Sequence, residues 1–274
     1  MAKLTVLFIA AQVLGLVVAV NFIGSIQTGE MERTGVITEN PEDVENAIGL
    51  FVYILVFTGV LLLALHFFKG EWLFRLLEII VVFTTSLIVF FVFFPSVAFM
   101  LAVLLVITRQ LLPTHIWLRN LSSVISVAAV GSMIGISLGV FPTLLFMVLL
   151  SVYDFIAVFK TKHMVTLAKG ITKKNLAFTF AIPSKELKHQ FELGTGDMVI
   201  PLTFAVSVMS AAALAGIPFP NYILPAGLIL IGSLVGLLWT IDYSSKHVGK
   251  ALPALPPQTV LMLAMWLVGK AIGF

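Results

Sequence analysis

The chain contains no cysteine, which removes disulfides, thiol nucleophiles and thiolate metal sites from the chemistry open to it. Charge is also scarce: 11% of the 274 residues are Asp, Glu, Lys or Arg, far below what a soluble domain carries. No HExxH pattern occurs, and the five histidines (66, 115, 163, 189 and 247) fall in loops or near the ends of apolar runs, so a zinc peptidase is excluded. What is abundant is apolar: 60% of the residues, 23 of them Phe, with a mean hydropathy of +1.12. Several runs are long enough to cross about 30 Å of hydrocarbon, so the fold class is an all-α integral membrane protein rather than a barrel.

Nine spans are predicted, at about 4–24, 47–68, 75–94, 96–112, 119–138, 141–160, 193–214, 220–241 and 255–273. Only FFPS, with Pro95, divides the third from the fourth. Nine spans with an inside N-terminus place 14 of the 16 basic residues on the inner side, against at most 12 for eight spans. The expectation is therefore a multi-pass protein of the cell membrane, N-terminus cytoplasmic and C-terminus outside. Trp72, Trp117 and Trp239 then fall at inner ends, where the ring suits the headgroup level. The first run, Leu4 to Ile23, lacks a small-residue cleavage site and reads as a retained span. The outer loop 25–46 holds six of the 13 acids and reads as a solvated surface segment.

Glu71, Glu78, Glu186, Glu192 and Asp242 lie in inner loops or near span ends, which leaves Asp154 and Asp197 as the clearly embedded carboxylates. Asp154 precedes Lys160 by six residues on a span descending to the inner side, roughly 9 Å deep at about 1.5 Å per residue. Asp197 follows Glu192 by five on the next span, roughly 7 to 8 Å deep by the same arithmetic. Two carboxyls at one depth on antiparallel neighbours suit peptide hydrolysis by an aspartate pair. Like charges a few ångströms apart cannot both ionise, so one acts as base toward water while the other donates its proton to the scissile carbonyl. On spacing alone, three readings stand open: proteolysis, a proton or cation relay in a transporter or channel, and a structural carboxyl pair.

Local sequence bears on the choice. Asp197 closes GTGD, where Gly194 and Gly196 permit close backbone approach. Pro201 cannot donate to the Asp197 carbonyl and loosens the helix beside the acid. In KALPALPPQTV, residues 250–260, Pro253, Pro256 and Pro257 prevent regular helix at the start of the last span. SVYD, GTGD and ALPALP, in that order on the sixth, seventh and ninth spans, resemble the GxGD intramembrane aspartyl proteases, the presenilins and signal peptide peptidases.

The resemblance implies that Asp154 and Asp197 are the catalytic pair and that Pro253, Ala254 and Leu255 form the PAL element shaping the site. Tyr153, Gly194 and Gly196 join that element as the candidate substrate-binding residues. It implies single-pass transmembrane helices as substrates, the lipid bilayer as the other partner, no nucleic acid, and no metal or organic cofactor. SVYD, KALPALP and the inside N-terminus look presenilin-like. Thr195 stands where the family usually has Leu, and DMVIP is closer to the signal peptide peptidase pattern. Residues 1–274 then form one polytopic domain, with scaffold spans in 1–140 and the catalytic spans, with their inner loop 161–192, in 141–274.

Two further segments invite a function. GISLG, residues 135–139, matches GxSxG, but no histidine stands at the depth of Ser137, and Gly131, Gly135 and Gly139 read better as a helix-packing stripe. AFTFAI, residues 177–182, alternates Phe with small residues on the loop leading to Asp197. An edge strand there that adds to an unwound substrate competes with a packed hydrophobic lid as its reading. The basic residues of the same inner loop read as topology determinants.

Overall fold

The computed structural model describes residues 2–67, 72–160, 176–182, 191–246 and 253–273. Lys69, Glu71, Lys250, His163, His189, His247 and the inner loop's basic patches within 161–175 and 183–190 lie outside these residues. Nine α-helices are present among the described residues: α1 (Ala2–Gln27), α2 (Val44–Phe67), α3 (Trp72–Phe93), α4 (Ala98–Leu111), α5 (Ile116–Ser137), α6 (Val140–Phe159), α7 (Gly196–Leu214), α8 (Leu224–Lys246) and α9 (Leu255–Ala271). An antiparallel hairpin, β1 (Thr179–Ile182) and β2 (Phe191–Gly194), lies between α6 and α7. Seven helices are long and apolar enough to cross a bilayer, whereas α4 has 14 residues and α9 has 17. The chain is a multi-pass, all-helical membrane protein.

Helix is the default because peptide groups in lipid must be paired within their own segment. Its interruptions follow the sequence. The α3–α4 break falls at Pro95, with the preceding Phe94 outside the helical region (φ −141°, ψ 64°), in keeping with proline's exclusion of αR from the residue before it. One boundary moves for a structural reason: α7 begins at Gly196 rather than 193, because residues 191–194 pair with β1.

The bundle centres on α5 and α7, each 72% buried along its apolar window, while α2 is 11% buried and packs chiefly on α6. Leu202 of α7 fills a notch between α1 and α5 made by Gly15 and Gly131; a Cβ at Gly131 would meet its side chain at 2.7 Å. Gly135 faces the Thr203 carbonyl and Val206 in the same way. Gly139 departs from the packing stripe: it stands before α6 against the Glu42 side chain, and its N–H donates to the Pro41 carbonyl.

The loop 25–46 is therefore more than solvated surface. Arg33 donates to the carbonyls of Ile136 (2.7 Å) and Leu138 (3.2 Å) and pairs with Glu42 at 3.4 Å, supplying partners at the end of α5. Burial lowers the Arg33 pKa, with Glu42 opposing that shift. The starts of α1 and α5 line one cavity with Ala181 of β1, so they share the opposite end of the bundle.

Gly135→Ala is expected to cost about 1–3 kcal/mol by overpacking, because its Cβ would fall 2.6 Å from the Thr203 carbonyl oxygen. Gly24→Ala, with open space at its Cβ, is the matched control. Thermal unfolding in detergent should show a lowered midpoint for the first and none for the second.

Candidate active site

Asp154 lies on the face of α6 that meets α7 and α9, and is 8% exposed. Its Oδ2 accepts a hydrogen bond from the Leu255 N–H at 3.3 Å. Leu255 is the first residue of α9, and the preceding Ala254 supplies no side-chain cap. The carboxylate therefore caps α9 from another helix, at the end where unpaired N–H groups and the helix dipole favour an anion. Pro256 and Pro257 follow directly. Having no N–H, they reduce the donors a buried helix start must satisfy.

The start of α9 is held by close packing on α8. A Cβ at Gly236 would sit 2.8 Å from the Gln258 Cα, and one at Gly232 would sit 2.8 Å from the Leu261 carbonyl oxygen. The Ser233 hydroxyl donates to Gln258 Oε1 at 2.9 Å. Pro253, Ala254 and Leu255 are all buried, and the Leu255 N–H is the one that bonds Asp154.

Asp197 is the second residue of α7 and is half-buried. It is less deep in a helix than the sequence arithmetic gives, because Leu193 and Gly194 belong to β2. The acid still stands at the same end of the bundle as its partner: α6 packs on α7, with Asp154 near the end of the first and Asp197 in the opening turn of the second. A Cβ at Gly194 would lie 3.6 Å from Asp197 Oδ2, and one at Gly196 would meet nothing within 4 Å. Space beside the acid is thus left open rather than taken by a neighbouring helix. Thr195 anchors the turn, since its N–H and its hydroxyl both donate to the Phe178 carbonyl, each at 3.1 Å. Gln12 of α1 braces the first turn of α7 by donating to the Met198 carbonyl at 2.9 Å.

Of the residues singled out in the sequence, Asp154, Asp197, Gly194, Ala254 and Leu255 come together. Tyr153 turns the other way, meeting α2 edge-on at Phe51 with ring centroids 6.2 Å apart. Ser137 stands at the end of α5 away from His115, roughly 30 Å along the helix.

Segment 177–182 does contain a strand, but that strand's outer edge is occupied. The Ala181 N–H donates to Asn120 Oδ1 and its carbonyl accepts from Asn120 Nδ2, while Arg119 Nε donates to the Thr179 carbonyl. An added peptide has no room at that edge. Opposite Phe180 and Thr179 run Leu193 and Gly194 of β2, whose far side carries the backbone groups of Glu192 and Gly194; these have no partner among the described residues.

Sequence reasoning passes over Glu78. It is fully buried on α3, 2.9 Å from a fully buried Arg109, and accepts the Ala177 N–H at 2.8 Å. The signal was available, since Glu78 lies six residues past the start of α3, as deep as Asp154 is from Lys160.

A profile described as signal-peptide peptidase, presenilin aspartyl protease matches residues 5–272. The chain belongs to that family. Two solved structures share the presenilin-type fold, both of a presenilin family intramembrane aspartate protease. The form in space group C222 is 22% identical, with a TM-score of 0.66 over 99% of this chain and 98% of the other. The form in P2 is 23% identical, with a TM-score of 0.67 over 100% and 98%. No curated protein matches. As a member of the presenilin and signal-peptide peptidase family the chain is an intramembrane aspartyl protease, and the transporter reading has no support.

Leu255→Pro deletes the N–H that holds Asp154, and its ring also disfavours the αR conformation of Ala254 (φ −89°, ψ −29°). Losing a hydrogen bond to a charged group, about 1.5–3 kcal/mol, predicts a fall in peptidase kcat of about 10- to 100-fold. Leu255→Ala keeps the donor and should retain more activity than the proline variant in the same assay.

Proposed function

We propose that the chain hydrolyses peptide bonds within single-pass transmembrane helices, with Asp154 and Asp197 as the catalytic dyad of a GxGD protease. The observation that carries the assignment is the packing of α6 against both α7 and α9, with one carboxyl capping α9 at the Pro253–Leu255 element and the other opening α7. That element is read as the family's PAL motif and GTGD as its GxGD motif.

A water between the carboxyls is deprotonated by one and attacks the scissile carbonyl carbon, while the other gives its proton to the carbonyl oxygen. The resulting tetrahedral diol collapses as a proton passes to the leaving nitrogen and the C–N bond breaks. The Leu255 N–H and the start of α9 suit the ionised partner, which favours Asp154 as base and Asp197 as acid. A helical substrate conceals its carbonyls in i to i−4 bonds and must unwind first. The far edge of β2, ending three residues before Asp197, offers main-chain partners to the unwound segment. Gly194 and Gly196 leave it room.

Nine spans, a cytoplasmic N-terminus, an outside C-terminus and residence in the cell membrane complete the reading. Its support is the charge count, together with the gathering of the α1 and α5 starts and β1 at one end of the bundle.

In liposomes with a labelled single-span substrate, Asp154→Asn and Asp197→Asn should each lower the cleavage rate by about 10³-fold or more while the protein remains folded. Cleavage that survives either substitution overturns the dyad. Because the chain lacks cysteine, orientation is testable with single cysteines. In intact cells an impermeant maleimide should label Ile272→Cys and spare Lys3→Cys, and the reverse pattern inverts the topology.

A further inference from the structure

Along the outer edge of β1, side chains stand where a third strand would be. The Ala177 N–H donates to Glu78 Oε1, and its carbonyl accepts from the Ser123 hydroxyl at 3.3 Å. The Thr179 carbonyl accepts from Arg119 Nε at 3.2 Å, and the Arg119 guanidinium also meets the Thr179 hydroxyl. Asn120 exchanges two bonds with Ala181, at 2.9 and 3.0 Å, the pattern of a hydrogen-bonded strand pair. Residues 177, 179 and 181 alternate, as backbone facing a single strand neighbour does. The four side chains that bind them are all buried, and Arg119, Asn120 and Ser123 come from one turn of α5.

Such an arrangement fixes more than packing. A two-stranded hairpin is marginal by itself and free to slip in register. Here Asn120 can bond both groups of Ala181 at one register only, and β1 passes that register to β2 through Phe180–Leu193 and to Thr195 through the Phe178 carbonyl. Asp197 lies two residues further on.

We propose that Asn120, with Arg119, Ser123 and Glu78, forms a surrogate strand that positions Asp197 and the far edge of β2 for proteolysis. These are positioning residues acting through the hairpin, and the inference rests on Asp197 belonging to the dyad. A helical substrate docks before it unwinds, so the contribution falls on kcat rather than KM.

Asn120→Asp tests this without changing side-chain size. The carboxylate can accept from the Ala181 N–H but cannot donate to the Ala181 carbonyl, whereas its protonated form does both. Among the described residues, the charged and titratable groups around it are Arg119 on its own helix, with His115 at that helix's start and Lys3 of α1 lining the same cavity. Using the full chain in liposomes with a single-span substrate, kcat at neutral pH should fall at least tenfold, with KM within about threefold of wild type. The ratio of variant to wild-type kcat should then recover on acidification. Ser123→Ala, which removes only the longer contacts of one hydroxyl to the Ala177 and Thr179 carbonyls (3.3 and 3.4 Å), should lower kcat two- to fivefold.

An unchanged kcat in Asn120→Asp, or a loss that does not recover at low pH, overturns the proposal. If that variant does not fold, wild-type kcat in Ser123→Ala overturns it. Asp197→Asn assayed in parallel separates the two readings: cleavage surviving there sinks the dyad whatever Asn120 does.

Discussion

Away from water, every peptide N–H and C=O must find a partner, and this constraint governs each place where the chain leaves the helix. At the α5–α6 turn the partners come from Arg33 and the Pro41 carbonyl. At the start of α9 two prolines reduce the demand and Asp154 meets what is left. At the hairpin, one edge is met by β2 and the other by α3 and α5. Asp154, one half of the proposed dyad, is thus part of the same system that keeps the irregular backbone satisfied. A group held in this way arrives at the chemistry already oriented, which is what preorganised catalysis requires.

Much of this was legible in the sequence because its signals are local. Apolar runs bounded by proline and basic residues locate the helices to within a few positions, and an acid inside such a run stands out against its neighbours. Asp154 and Asp197 were visible for that reason, as were the proline residues before α9. Less legible was anything that depends on two distant segments meeting. Residues 191–194 read as the start of a span because four residues carry too little period to distinguish strand from helix, and only pairing with 179–182 decides it. Arg109 and Arg119 counted as inner-side charges, yet both side chains are buried, one on Glu78 and the other on β1. Such cations stand at the end of a span and also build its interior, and charge counting reads only the first role.

The two halves of the sequence are also less separate in space than motif content suggests. The motifs lie in 141–274, but α5 and α1 from the first half pack on α7, and Gln12 reaches the turn that carries Asp197. Leu202, five residues beyond that acid, is seated against glycines of both α1 and α5. What a motif search labels scaffold therefore sets the height at which one of the two carboxyls stands. The peripheral α2, by contrast, touches chiefly α6 and leaves most of its surface to lipid.

The occupied edge of β1 has a consequence for crowding. A hairpin open on both sides would be a template for like hairpins, and membranes concentrate copies of one protein in two dimensions, where ribbon growth meets little entropic resistance. With one flank filled by an amide, a guanidinium and a hydroxyl of its own bundle, the β1 side of the ribbon is closed to a neighbouring copy.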